Sequence, residues 1–65
     1  MVSSCGRDLK RVLLAHGCRF VRYGKGDHEI WFSPISQRSF TVDAGTRKRF
    51  TANSALKQAG IEPQF

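Results

Sequence analysis

The sequence predicts an α+β fold of element order α-β-β-β-α, a two-layer domain in which a three-stranded antiparallel sheet carries two helices on one face. Three observations predict it. Apolar residues recur at helical spacing near the start, three short runs rich in β-formers follow with turn residues between them, and a second helical stretch ends at Gly60, ahead of Pro63. With 65 residues there is room for one small core, so residues 1–65 are read as a single domain.

The first helix is expected over about residues 4–16, with Ser3 or Ser4 as the N-cap acceptor and Asp8 at the positive end of the helix dipole. Cys5, Leu9, Val12, Leu13 and His16 fall on one helical face, while Arg7, Lys10 and Arg11 fall largely off it. Gly6 weakens the first turn by about 1 kcal/mol relative to Ala. Gly17 stands where a left-handed C-terminal cap belongs. Residues 18–23 are the first strand, and Gly24-Lys25-Gly26-Asp27 supplies the glycines of a hairpin connection. Residues 28–33 and 38–43 form the second and third strands, joined through Pro34-Ile35-Ser36-Gln37. Period-2 geometry assigns Ile30, Phe32, Phe40 and Val42 to one buried face and Glu29, Thr41 and Asp43 to the other, a division that Trp31 breaks. After a loop over residues 44–49, Thr51 is the expected N-cap of a helix over residues 52–59 that Gly60 terminates.

Eleven Lys and Arg against five Asp and Glu give a formal charge of +6, which favours a polyanionic partner, either nucleic acid or an acidic protein. The longest apolar run, Val12-Leu13-Leu14-Ala15, is far below the ~20 residues that span a bilayer. No signal peptide pattern opens the chain either, so the expectation is a cytoplasmic protein without a membrane partner. In that compartment Cys5 and Cys18 are read as small core hydrophobes and not as a bridge.

His28 is the candidate for chemistry. It follows a Gly-rich turn, begins a strand and has Arg22, Lys25 and Asp27 close in sequence. Imidazole titrates near neutrality and can move the proton of an RNA 2′-hydroxyl or of a departing 5′-oxygen. The attacking hydroxyl belongs to the substrate, which leaves the protein to align it, neutralise phosphate charge and manage protons. A single His at a strand start is also a common solvated or structural residue. Arg47-Lys48-Arg49, together with Arg22, Lys25 and Arg38, are candidate phosphate contacts, and an exposed loop is the bland alternative. Trp31, Tyr23 and Phe20 are aromatic rings that either stack on unpaired bases or pack in the core, with Phe20 assigned to the core. Cys5, His16, Cys18 and His28 lack the paired local spacing of a zinc site, so neither a metal nor another cofactor is expected.

Ser3-Ser4, the Arg22–His28 stretch R-x-G-K-G-D-H, the Phe40-Thr41-Val42 strand, Thr51, and Leu56-Lys57-Gln58-Ala59-Gly60-Ile61 occur in an order that resembles the HicA family of toxin–antitoxin ribonucleases. The likeness covers nearly the whole chain, so residues 1–65 read as one HicA-like domain. It implies a fold similar to double-stranded-RNA-binding domains, metal-independent cleavage of mRNA with His28 as the catalytic residue and Gly26 in its turn, and inhibition by a HicB-like antitoxin. Two positions depart from the family pattern. Asp27 stands where the family commonly has Ser, and a carboxylate there would repel phosphate and weaken or retune activity. Cys18 stands where the family often has Trp, a difference of packing. Two other functions fit the same charge and fold: a non-catalytic RNA-binding module, and a basic interaction protein for an acidic partner.

Overall fold

The computed structural model describes residues 5–65, with Cys5 described by its backbone alone. The Ser3 or Ser4 cap and the Cys5 side chain therefore lie outside the described residues. The elements are α1 (Cys5–Ala15), β1 (Arg19–Tyr23), β2 (His28–Ser33), β3 (Arg38–Asp43) and α2 (Arg49–Gln58). The three strands form an antiparallel sheet in the order β1-β2-β3. The expected α-β-β-β-α order is the one observed.

Gly17 (φ 84°) ends α1 as the left-handed cap. The Gly17 N–H donates to the Leu14 carbonyl at 3.1 Å and the Cys18 N–H to that of Leu13 at 2.9 Å, so carbonyls orphaned at the helix end are satisfied. Leu9 and Leu13 are buried and Val12 packs against the core. His16 departs from the expected stripe: it is exposed, and its Nδ1 donates to the Val12 carbonyl at 2.8 Å. A polar ring gains more by capping that carbonyl than by entering an apolar core. Gly6 allows α1 to approach the chain after β3 closely. A Cβ there would lie 2.7 Å from the Ala44 carbonyl carbon, and its N–H donates to the Thr46 carbonyl at 3.0 Å.

The register corrects the expected sheet face. Trp31 pairs with Phe40, Glu29 with Val42 and Ser33 with Arg38. Directly paired residues point to the same side of a sheet, so the face beneath the helices carries Trp31 and Ser33 with Phe40 and Val42. Ile30 and Phe32 turn to the open face, opposite Thr41 and Ser39. Trp31 is 3% exposed and joins Leu9, Leu13, Leu56, Phe40 and Val42 in one core. The polar neighbours on this face are paired. Glu29 accepts the Trp31 indole N–H at 2.9 Å and meets Lys10 of α1 at 3.5 Å. The fully buried Ser33 hydroxyl donates to the Ala59 carbonyl at 2.6 Å and accepts the Ile35 N–H at 3.2 Å, fastening the β2–β3 turn to the end of α2. Cys18 is a buried free thiol in the core.

The second helix begins earlier than expected. Lys48, and not Thr51, is the N-cap, and it offers no side-chain bond. The hydroxyl that could have capped is spent one turn upstream, where Thr46 Oγ1 accepts the Lys48 N–H at 3.2 Å. Ala52, Ala55 and Leu56 are the buried residues of α2. Gly60 (φ 81°) ends the turn that follows, and the Ile61 N–H donates to the Leu56 carbonyl at 2.9 Å. None of the described helices is long and apolar enough to cross a membrane.

Candidate functional site

His28 owes its position to a tight hairpin. The His28 N–H donates to the Lys25 carbonyl at 2.9 Å, and the Gly24 N–H to the His28 carbonyl at 2.8 Å. Gly26 has φ 57° and Asp27 does not share the positive sign, which matches the φ signs of a type II′ turn with glycine at its first central position. The turn therefore places His28 at the first residue of β2 with its side chain exposed. Among the described residues none makes a side-chain hydrogen bond or ion pair to it.

His28 is the Cα partner of Asp43 across β2 and β3. The adjoining pair is joined by the Ala44 N–H donating to the Asp27 carbonyl at 3.1 Å. In an antiparallel ladder the pair types alternate, so His28 and Asp43 occupy a non-hydrogen-bonded position, where facing side chains approach most closely. Asp43 also accepts the Gly45 N–H at 3.1 Å, which bends the chain out of β3 toward the basic run. The Asp27 carboxylate lies over the same bend, where a Cβ on Gly45 would be 3.3 Å from its Oδ2.

A groove of about 250 Å³ runs from His28, Thr41 and Asp43 on the sheet to Phe50, Thr51, Ser54, Ala55 and Gln58 on α2. The sheet residues belong to the open face, and the α2 residues form the opposite wall. At the head of that wall lie the backbone N–H groups of the first turn of α2, which receive no side-chain bond from Lys48. Such groups and the helix dipole favour an anion.

The structure brings most of the predicted residues to one end of the molecule. Arg22 pairs with Ile30 on the open face, which makes it a diagonal cross-strand neighbour of His28. Lys25 and Gly26 form the turn before His28, and Arg47, Lys48 and Arg49 lead from the Asp43 bend into α2, all three exposed. Arg38 is not brought there. It pairs with Ser33 at the far end of β2, on the side beneath the helices, about 17 Å along the strand from His28 at ~3.3 Å per residue.

The aromatic residues sort differently from the expectation. Trp31 is core. Phe20, expected there as well, is 41% exposed and only edges against Trp31, with ring centroids 6.3 Å apart. Tyr23 is 75% exposed and stacks edge-on with Phe20 at 4.9 Å. The groove residues that nothing in the sequence marks as functional include Asp43 and Phe50. Asp43 reads in sequence as a polar strand position, and its facing of His28 follows from the register. Phe50 stands between the basic run and Thr51, and it lies off the helix face that Ala52, Ala55 and Leu56 bury.

Taken together, the groove offers an unencumbered imidazole, a carboxylate beside it, and hydroxyl and amide groups along one wall, while Lys25 lies in the turn before His28 and Lys48 and Arg49 open α2. Such a set can bind a phosphate and move a proton at an atom next to it. Among the described residues no group of three His, Cys, Asp or Glu side chains is gathered as a metal site would require.

Comparison with known families matches residues 6–61 to a family model described as the HicA toxin of bacterial toxin–antitoxin systems. No curated protein and no solved structure matches.

Proposed function

This chain belongs to the HicA toxin family of bacterial toxin–antitoxin systems, and from that premise we propose that it is a metal-independent endoribonuclease that cleaves mRNA in the cytoplasm with His28 as its catalytic residue. Family membership gives it a cognate antitoxin partner; in this proposal the antitoxin is HicB-like and inhibits by covering the His28 groove. The observation that carries the reading is the exposed, unpartnered His28 at the start of β2, in a groove it shares with Asp43, Thr41 and the polar residues Thr51, Ser54 and Gln58 of α2.

The chemistry uses these side chains, the backbone of α2, water and the substrate. The cations and the free N–H groups of α2 hold the phosphate and offset the charge that grows on it. The neutral imidazole of His28 takes the proton of the neighbouring 2′-hydroxyl as its oxygen attacks phosphorus. The bond from phosphorus to the 5′-oxygen breaks, and that oxygen takes a proton from water in the open groove. A 2′,3′-cyclic phosphate and a free 5′-hydroxyl result, and His28 returns its proton to solvent. Gly26 serves by allowing the turn, and Asp43 stands where it can orient the imidazole.

The test is cleavage of a single-stranded RNA with EDTA present. His28→Ala should lower the rate by about 10²–10⁴, the usual share of a general base, while filter binding and circular dichroism stay near the parent's. Cleavage by His28→Ala at the parent's rate would overturn the assignment. If the parent binds RNA and does not cut it, the chain is a non-catalytic RNA-binding module. Adding the co-purified antitoxin should suppress cleavage, and binding without suppression would remove occlusion as the means of inhibition.

A further inference from the structure

We propose that Phe50 is a stacking platform for an unpaired base of the RNA, and so a positioning residue that holds the strand against His28; this rests on the RNA-cleavage reading above. Phe50 is 84% exposed, more than any other large apolar residue described. Its place in α2 explains nothing about folding, since the helix turns Ala52, Ala55 and Leu56 inward and Phe50 lies off that face. Among the described residues no other ring packs against it. It nevertheless lines the groove opposite His28.

The surroundings define what would lie on it. Lys48 and Arg49 precede Phe50 directly and begin the helix, so a phosphate held at that end leaves its base beside the ring. Cations tracking a backbone next to an exposed aromatic face are the recurring arrangement for single-stranded nucleic acid, because every base has a π-face. Thr51, Ser54 and Gln58 farther along the wall present hydroxyl and amide groups of the kind that pair with base edges. At about 250 Å³ the groove falls below the ~300–1,000 Å³ of pockets for drug-sized ligands, a size that suits one base. Phe50 also borders a second groove with Ser54 and Lys57, so the ring stands as a ridge between two places for successive nucleotides. An antitoxin segment is the rival occupant, but an apolar partner residue would leave the adjoining cations without a counterpart.

The experiment compares Phe50→Ala, Phe50→Leu and Phe50→Tyr in the full chain. Leu keeps apolar bulk and removes the π-face; Tyr keeps the face. Both Phe50→Ala and Phe50→Leu should lower kcat/KM on a short single-stranded RNA by about 5- to 100-fold, the equivalent of losing one stacked base. Phe50→Tyr should stay within about twofold of the parent, and circular dichroism should not change. A second readout does not depend on cleavage. RNA carrying 2-aminopurine should lose fluorescence on binding His28→Ala protein and keep it on binding the His28→Ala/Phe50→Ala double variant. Phe50→Leu cutting as well as the parent would overturn the proposal, as would equal quenching by both proteins. Unchanged cleavage with loss of inhibition by the antitoxin would make Phe50 an antitoxin contact instead. If the parent does not cut RNA at all, the cleavage reading fails by itself, and the fluorescence comparison still decides whether a base stacks on Phe50.

Discussion

Replacing Gly6 with Ala sets two physical effects of opposite sign against each other. Within an ordinary helix the change is favourable by about 1 kcal/mol, because Gly surrenders more backbone freedom than Ala. Here the added Cβ would meet the main chain of the Asp43–Ala44 bend, 2.7 Å from the Ala44 carbonyl carbon and 3.3 Å from the Asp43 oxygen. Neither atom can rotate aside as a side chain would. Forcing a methyl into such a packed site costs about 1–3 kcal/mol. Backing the helix away to relieve it breaks the bond from the Gly6 N–H to the Thr46 carbonyl, a further ~0.5–1.5 kcal/mol. After the helical gain is subtracted, the net loss is about 0.5–3.5 kcal/mol. A central loss of about 2 kcal/mol lowers the thermal midpoint of a domain this size by about 8–16 °C. Urea unfolding of parent and variant, followed by far-UV circular dichroism, should show a lower midpoint at an unchanged slope. A midpoint that stays put or rises would refute the close approach of α1 to the bend that leads into the basic run.

Ser33→Ala removes the buried hydroxyl that joins the β2–β3 turn to Ala59, leaving that carbonyl and the Ile35 N–H without their partner; chemical denaturation should report a loss of about 1–3 kcal/mol, and a neutral result would mean that water replaces the hydroxyl there. Asp27→Ser takes a carboxylate away from the bend beside the His28 groove, so kcat/KM for RNA should equal or exceed the parent's. A fall would show that the carboxylate assists the reaction.

Much of the fold was legible because local rules and tertiary demands agree in most of the chain. Leu9, Val12 and Leu13 at helical spacing, Gly17 after them, and the alternation of Phe40 and Val42 each predict what is found. β2 departs from its expected face for a physical reason. Its true inner face reads Glu29, Trp31, Ser33, polar at both ends, while Ile30 and Phe32 look like the apolar stripe. What makes the polar face burial-competent lies far away in sequence: Lys10 of α1 reaches Glu29, and the Ala59 carbonyl receives the Ser33 hydroxyl. Periodicity cannot register partners of that kind. The start of α2 departs from expectation similarly, because Thr51 has the chemistry of a cap but the chain has already turned at Thr46. At the candidate site, His28 and its glycine turn were readable from the motif. The facing of Asp43 required the strand register, and the exposure of Phe50 required the helix to start at Arg49.

The irregularity in β1 bears on how this sheet behaves in company. β1 is an edge strand carrying exposed Phe20, Val21 and Tyr23, the composition from which strands of separate molecules add to one another. Its register shifts between Phe20 and Arg22, leaving Val21 as the extra residue of a bulge, and bulges twist an edge away from the flat ladder that another strand would need. Arg19 lies over the Phe32 ring at 5.3 Å and Arg22 follows the bulge, so a second copy approaching this edge meets like charge. Straightening β1 by deleting Val21 would remove both the twist and the spacing of those arginines, and would turn a guarded border into a template for aggregation.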